Sequence, residues 1–346
     1  MTTCSNHGDP KANPALLEVL VRQILQLVPI NQLSWPDSHI LRKIGNQHYI
    51  WQKCFQTDTT SITPSLRYRY GVLKMLIRRI ESAIVDPEED EISDELISAL
   101  SDLMGQNMPS ETEAAQQRST VVYACASADQ PIDETNSIRL LESRNVISGS
   151  GTTGLRTWEA ALHLGEYLLS TPPAQTWVCD KIILELGAGT GLLSMLCARP
   201  LRAKAVLCTD GSEEVTNAVK ENLGLNPGMQ LVEASTLMWG CDVEDPSLAA
   251  RVGERKVDTV IGADVTYDTS VIPLLVATIA NVFRIWREAD VLIAATIRND
   301  HTFKAFEDAC GKSTSLTMYS HTISIIQSSL SKTSLDFSIR RRCRYE

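Results

Sequence analysis

The sequence predicts an α/β fold: a mostly parallel, seven-stranded sheet covered by helices on both faces, preceded by an all-helical module. Two observations support this prediction. Residues 182–311 alternate short apolar runs with helix-length segments, the pattern typical of a parallel sheet. Residues 13–104 instead carry helical periodicity and repeated helix start signals. We therefore expect two folded parts in this chain of 346 residues.

The N-terminal part is predicted to begin with a loose tail over residues 1–12, which are polar and include Gly8 and Pro10. A helical module follows over residues 13–104, with helices predicted at 13–28, 37–55, 63–86 and 93–104. One apolar face of the third helix is formed by Leu66, Tyr70, Leu73, Ile77, Ile80 and Ile84. The polar residues 105–119 are then expected to form a linker or exposed loop.

The second part, residues 120–346, is predicted to hold the sheet. Its central strands are predicted at 182–186, 205–209, 230–234, 257–261 and 291–296, and its helices at 192–199, 212–222, 271–286 and 301–311. A helix before the sheet is expected to carry Trp158. Two further strand-like runs, 315–321 and 335–340, lack a helix-sized segment between them, so one of them should be antiparallel.

Residues 185–191, E-L-G-A-G-T-G, form a glycine-rich turn between the first central strand and its helix. Gly187, Gly189 and Gly191 carry no Cβ, which lets the backbone approach a ligand closely. The turn also leads to a helix N-terminus, which favours an anion. Dinucleotides and S-adenosylmethionine both bind at such turns. Asp210, about 20 positions further on, could hold a ribose hydroxyl in either case.

Three features of the chain favour S-adenosylmethionine over a dinucleotide. Glu185 directly precedes the turn and suits the cationic amino group of a methionine moiety. The dehydrogenase fingerprint requires its third glycine at a position where this chain has Leu192. A later strand is followed by residues 264–267, Asp-Val-Thr-Tyr. For the turn considered alone, a glycine-rich connection without any ligand is the alternative.

The composition limits the classes of partner. The formal net charge of −10 disfavours direct binding to nucleic acid, which requires a basic face. Nine cysteines without a C-x-x-C pair suggest free thiols in a reducing compartment. The six histidines are far apart, so we expect no metal site. No apolar run approaches the length of a membrane span and no signal pattern is evident, so we expect a cytoplasmic protein without membrane contact.

Three segments resemble a known family. Residues 151–161, G-T-T-G-L-R-T-W-E-A-A, together with E-L-G-A-G-T-G and the Asp264-x-x-Tyr267 element, resemble the seven-β-strand protein-lysine methyltransferases of family 16. Within that family, the N-terminal helices, including residues 51–54, W-Q-K-C, are similar to those of the elongation factor 2 lysine methyltransferases. The resemblance extends from about residue 14 to the end of the chain. It implies a Rossmann-like class I methyltransferase fold with S-adenosyl-L-methionine as cofactor.

The resemblance also implies a role for individual residues. Residues near the methionine end of the cofactor would be Gly187, Ala188 and Gly189. Asp210 would hold the ribose hydroxyls. The adenine would lie beside Trp239, with Ala263 closing that side and Trp158 packing from the preceding helix. Asp264 and Tyr267 would face the incoming lysine. Their catalytic task would be to steer and desolvate the lysine amine, whose pKa is about 10.4 in water. The amine must lose a proton before it can attack the methyl group, and desolvation favours that loss.

The implied function is methyl transfer to a lysine of a folded protein, with elongation factor 2 as the first candidate, by an enzyme expected to be a monomer. One alternative is a class I methyltransferase that acts on another protein or on a small molecule. Another is a cofactor-binding scaffold without activity. Individual residues have alternatives too, because Trp158 and Trp239 could be core aromatics and Asp210 could cap the following helix.

Overall fold

The computed structural model describes residues 14–56, 64–110, 113, 117–126, 130–143, 153–240, 256–296, 300–312, 322–328 and 342–344. The chain divides into two compact units, Met1–Ser137 and Ile138–Glu346. The tail predicted for residues 1–12 lies outside the described residues. The predicted boundary near residue 120 stays a prediction. Strand β1, Arg118–Ala124, belongs to the first unit, where Val122 and Ala124 pack against the helical core.

Among the described residues, the first unit contains strand β1 and the helices given next. The helices are α1 (Pro14–Leu25), α2 (Ser38–Leu41), α3 (Ile44–Cys54), α4 (Leu66–Glu81) and α5 (Asp94–Met104), with a 3₁₀ turn at Ile30–Gln32. The second predicted helix is therefore two helices. The break occurs because the Asn46 side chain donates to the carbonyl of Ile40 and the buried Gln47 amide donates to that of Arg42. These side chains satisfy carbonyls at the end of α2.

The buried face of α4 matches the predicted one at Leu73, Ile77 and Ile80, which are buried in the core. Its buried residues are Tyr68, Val72, Leu73, Leu76, Ile77 and Ile80. Leu66 and Tyr70 are only partly buried, and Ile84 follows the end of the helix. Tyr68 belongs to the core because its hydroxyl donates to the carbonyl of Val28 at 2.8 Å, which satisfies the polar end of a buried ring.

The second unit contains the sheet and its helices, and the elements given next are those within its described residues. Its elements are β2 (Ser137–Ser143), α6 (Glu159–Ser170), α7 (Pro172–Gln175), β3 (Ile182–Leu186), α8 (Leu192–Ala198), β4 (Ala205–Asp210), α9 (Glu213–Gly224), β5 (Val232–Thr236), β6 (Thr259–Ala263), α10 (Ile272–Ile285), β7 (Asp290–Thr296), α11 (Asp300–Lys312), β8 (Thr322–Ser328) and β9 (Arg342–Arg344). The α/β fold predicted from the alternating pattern is confirmed, and Trp158 lies just before α6 rather than within it.

The sheet has the strand order β5-β4-β3-β6-β7-β8-β9. Its central strands β5, β4, β3, β6 and β7 are all parallel, β8 continues in the same direction, and β9 is antiparallel to β8. The predicted runs 315–321 and 335–340 lie outside the described residues. From β3 the chain continues to β4 and β5 on one side of the sheet, and from β6 it continues to β7 and β8 on the other. The connections after β3 and β6 therefore diverge and leave a crevice at the carboxyl ends of these two strands, which is the usual ligand position in such sheets.

The core of the second unit lies between the sheet and its helices. All residues of β3 are buried, which explains why its sequence is a continuous apolar run interrupted only by Glu185. Helix α10 contributes a buried face that includes Leu275, Ile279 and Phe283 to the same core. Of the helices that the structure describes, none is sufficiently long and apolar to span a bilayer.

Candidate active site

A cavity of about 190 Å³ lies at the carboxyl ends of β3, β4 and β6. It is lined by Thr153, Gly154, Trp158, Gly187, Gly189, Asp210, Trp239, Ala263, Asp264, Val265 and Tyr267. Eight of these were named as site residues from the sequence: Trp158, Gly187, Gly189, Asp210, Trp239, Ala263, Asp264 and Tyr267. The structure thus brings together residues that are more than a hundred positions apart in the chain.

The glycine turn is shaped by its protein neighbours. Gly187 and Gly189 have φ angles of 65° and 56°, a region that other residues adopt only with strain. A Cβ on Gly187 would lie 2.8 Å from Val265 Cγ1, and a Cβ on Gly189 would lie 3.3 Å from the carbonyl oxygen of Gly154. Close packing of the cavity walls therefore accounts for these two glycines, in addition to the ligand approach expected from the sequence.

Asp210 presents a carboxylate that is fixed at the end of β4. Its Oδ2 accepts a hydrogen bond from the backbone N–H of Gly189 at 3.1 Å, and its Oδ1 accepts one from that of Ser212 at 3.0 Å. Burial raises the pKa of Asp210, while these hydrogen bonds act in the opposite direction. Ser212, whose Oγ accepts from Val215 N, occupies the cap of α9, so Asp210 does not hold that position.

Three predicted cofactor-binding residues do not line the cavity: Glu185, Ala188 and Gly191. Glu185 is only 2% exposed, and its carboxyl accepts a hydrogen bond from the Ser194 hydroxyl of α8. Burial raises the pKa of Glu185 to about 8. Ala188 is buried and donates its N–H to Thr209, while Gly191 precedes α8. The carboxyl expected to meet a cationic amino group directly therefore lies behind the turn.

Asp264 follows β6 with a φ of 55°, which is unusual for a residue other than glycine and is often found at functional sites. Its N–H donates to the carbonyl of Ala294 on the neighbouring strand β7. Its carboxylate accepts hydrogen bonds from the N–H of Thr296 at 3.0 Å and from the Thr296 hydroxyl at 3.4 Å. Tyr267 lies at the mouth of the cavity and is 62% exposed.

Two tryptophans contribute to the walls. Trp158 donates its Nε1–H to the carbonyl of Thr153 at 3.1 Å, and the Arg156 guanidinium lies 5.4 Å from the centre of its ring. Trp239 lies close to the turn, since its Cζ2 would be 3.2 Å from a Cβ on Gly187. The Nε1 of Trp239 is buried and has no hydrogen-bond partner among the described residues. A buried indole N–H usually finds a partner, so a polar ligand group would be accommodated beside it.

A buried polar network, which the sequence analysis did not predict, connects the walls. The Thr157 hydroxyl donates to Glu142 Oε1 at 2.6 Å and lies 2.7 Å from the hydroxyl of Thr190 in the glycine turn. The Asn222 side chain donates to the carbonyl of Thr190 and accepts from the N–H of Leu141. Thr157 and Thr190 belong to the recognised motifs, but no sequence pattern indicated Glu142 or Asn222.

A family model described as lysine methyltransferase matches residues 140–310. The chain is 45% identical to protein-lysine N-methyltransferase EFM3 of Chaetomium thermophilum over 84% of this chain and 85% of the relative. It is 35% identical to protein-lysine N-methyltransferase EFM3 of Saccharomyces cerevisiae, over 52% of this chain and 55% of the relative. It is 30% identical to protein-lysine N-methyltransferase EEF2KMT of Mus musculus, over 70% of this chain and 68% of the relative.

Proposed function

The chain belongs to the family 16 protein-lysine methyltransferases, close to the elongation factor 2 methyltransferases, and from this premise we propose that it transfers methyl groups from S-adenosyl-L-methionine to a lysine of translation elongation factor 2. The observation that carries the proposal is the composition of the cavity. The glycine turn, Asp210 and Trp239 form one part of its wall, and Asp264 and Tyr267 form another. One cavity thus offers separate groups for a nucleoside and for an amine.

The residues of the cavity fit the proposed cofactor. Asp210 offers a carboxylate whose orientation is set by two backbone N–H groups, and it can accept hydrogen bonds from vicinal ribose hydroxyls. Trp239 offers an aromatic face and a buried N–H without a partner among the described residues, which suits a purine with its ring nitrogens. The bound cofactor supplies a methyl group made electrophilic by the sulfonium.

The chain's own residues would act mainly on the lysine. The carboxylate of Asp264, held by Thr296, would attract the ammonium group and orient the amine after it loses its proton. The ring of Tyr267 at the cavity mouth would exclude water from the side chain as it enters, which favours the neutral amine. Transfer to an electrophilic methyl group depends chiefly on in-line positioning, so we assign Asp264 an orienting role rather than that of an obligate base.

The enzyme would act as a monomer, in the cytoplasm where a translation factor is available. The cofactor-binding residues would be those of the cavity wall. Glu185, Ala188 and Gly191 would support the turn from behind, because Glu185 and Ala188 are buried and Gly191 precedes α8.

The test combines a binding and a transfer experiment. The purified chain is titrated with S-adenosylmethionine and then incubated with the labelled cofactor and purified elongation factor 2, and the product is mapped by peptide mass spectrometry. We expect cofactor binding and one modified lysine. Binding without any transfer to protein would favour the inactive scaffold, and transfer to a different protein in a cell extract would correct the substrate.

A further inference from the structure

Three exposed apolar side chains lie on segments that form or adjoin the cavity wall: Tyr267, Met238 and Leu274, which we call the apolar rim. Their exposed fractions are 62%, 58% and 45%. Large exposed apolar side chains that lie close together are typical of surfaces that bind another protein. Tyr267 lines the cavity, and Met238 directly precedes Trp239, which lines it too.

The contacts of Met238 and Leu274 place both side chains beside the segment that carries Trp239. Met238 directly precedes Trp239 of the cavity wall, and its sulfur would lie 3.6 Å from a Cβ on Gly211 after β4. Leu274, in the first turn of α10, lies over Gly240, where a Cβ would be 2.6 Å from Leu274 Cδ2. The start of α10 therefore packs on the segment that carries Trp239.

The segments that carry the apolar rim contain carboxylates and no basic side chain, although the Arg156 guanidinium lies 5.4 Å from the ring centre of Trp158 in the cavity wall. Lys and Arg are absent from three segments that include β4, β5, β6 and the rim residues: 205–219, 232–240 and 257–283. Glu213 and Glu214 are exposed in the first turn of α9, beside the Gly211 that Met238 approaches. Asp268 follows Tyr267, and hydrogen bonds from Ser270 lower its pKa. The apolar rim is thus bordered by carboxylates, which complement a basic partner surface.

We infer that the apolar rim docks the protein substrate, and that the lysine to be modified lies on a basic surface next to at least one exposed apolar side chain. This inference rests on the proposed function, since it assigns the surface that recognises the target of the same cavity. Apolar contacts would supply the binding energy around the lysine, and the carboxylates would speed association and set the orientation.

A second copy of this chain fits the same surface less well. A two-fold symmetric dimer would bring the rim against itself and would set Glu213 and Glu214 of one copy near the same acidic border of the other. Like charges brought together at an interface are unfavourable, whereas a basic target surface has no such repulsion. The charge of the border therefore favours the substrate as the occupant.

The test uses the full-length chain and two matched pairs of variants. Leu274→Ala is compared with Ile285→Ala, because Ile285 is also exposed on α10 but lies about 16 Å further along the helix axis. Met238→Ala is compared with Leu231→Ala, because Leu231 is exposed just before β5, at the opposite end of that strand from Met238. Each variant is assayed for cofactor affinity, oligomeric state and transfer of label to proteins of a cell extract.

We expect Leu274→Ala and Met238→Ala each to raise the KM for the labelled target about tenfold, with kcat and cofactor affinity unchanged. Ile285→Ala and Leu231→Ala should behave as the parent chain. The lysine found by mass spectrometry should lie on a basic surface with an apolar neighbour.

Three results would overturn the inference: an unchanged KM in both rim variants, a target lysine in acidic surroundings, or a dimer of the parent chain that only the rim variants dissociate. Labelling of a protein other than elongation factor 2 would reject the proposed substrate while still testing the rim on that protein. If the parent chain binds cofactor but labels no protein, the proposed function and the rim both fail.

Discussion

The carboxylate of Asp264 at the end of β6 is held by Thr296 at the end of the neighbouring strand β7, through the backbone N–H at 3.0 Å and the hydroxyl at 3.4 Å. This pairing directs an acidic group to the edge of the sheet where the cavity opens. A carboxylate fixed by its neighbour needs little reorganisation when an ammonium group approaches.

Asp264→Asn should bind S-adenosylmethionine with nearly the parent affinity but lose methyl transfer by roughly a hundredfold or more, because the charge that attracts and orients the amine is removed. Titration and single-turnover transfer measure the two effects separately. Asp268→Asn, in the same loop, is the control and should keep the parent kcat. A large loss of cofactor affinity in Asp264→Asn would instead assign this residue to the cofactor side.

Asp210→Ala should weaken cofactor binding. A hydrogen bond to a charged group contributes about 1.5–3 kcal/mol, so the Kd should rise by roughly 10- to 150-fold. Glu213→Ala, which removes an exposed carboxylate in the next turn, should leave the Kd unchanged. Isothermal titration of both variants tests this expectation. Equal affinity in the two would exclude Asp210 from the nucleoside site.

A comparison of Gly189→Ala with Gly228→Ala distinguishes the effect of backbone strain from the effect of a side chain placed in the cavity wall. Both Gly189 and Gly228 have positive φ angles, 56° and 81°, but a Cβ would lie 3.3 Å from the Gly154 carbonyl oxygen at Gly189 and in open space at Gly228. Either alanine should lower the free energy of unfolding by about 1–2 kcal/mol. Only Gly189→Ala should also weaken cofactor binding, by about tenfold or more, a change equivalent to about 1.4 kcal/mol. The same Kd in both variants would contradict a role for this contact.

Thr157→Val tests the network that joins the cavity walls. The substitution keeps the shape but removes the hydroxyl between Glu142 and Thr190, so the buried carboxylate loses one partner and the free energy of unfolding should fall by about 1–3 kcal/mol. The Kd of the cofactor should rise several-fold, and Thr157→Ser should restore both quantities. A loss of stability with an unchanged Kd would show that Thr157 supports the fold without positioning the site.

Features that depend on local sequence could be predicted, whereas features that depend on specific side-chain contacts could not. The parallel sheet was predictable because its strands are continuous apolar runs, and most cavity residues were predicted because the family resemblance assigns them a role. The break before α3 was missed because it depends on side-chain amides of Asn46 and Gln47 that bind backbone carbonyls. The partnership of Glu142 with Thr157 joins residues 15 positions apart and leaves no local pattern.

The position of Glu185 was missed for a related reason. An acidic residue next to a ligand-binding turn suggests contact with the ligand. In the structure the strand alternation turns its side chain toward α8, where Ser194 meets it. Burial there raises the pKa of Glu185, which makes the stability of the chain depend on pH.

Glu185→Gln should change how stability depends on pH. The pKa of Glu185 is about 8 in the folded chain, above its ordinary value of 4.5, so between these values the folded state holds a proton that the unfolded state has lost. The contribution of Glu185 to the free energy of unfolding of the parent chain should therefore be greatest below about pH 4.5. This contribution should fall as the pH rises towards 8. Since glutamine does not titrate, the variant should lack this contribution, and its advantage should grow by up to about 1.4 kcal/mol per pH unit across that interval.

Urea unfolding of the parent and the variant at pH 5.5, 6.5 and 7.5 measures this difference, with Glu233→Gln as the control that removes an exposed carboxylate from β5. We expect the stability of Glu185→Gln to exceed that of the parent increasingly as pH rises, because the parent must either keep its proton or bury a charge beside Ser194. Parallel curves for the parent and Glu185→Gln would mean that the carboxylate is already ionised in the folded chain. A charged Glu185 behind the glycine turn would then attract a cationic ligand group across the turn, without the direct contact expected from the sequence.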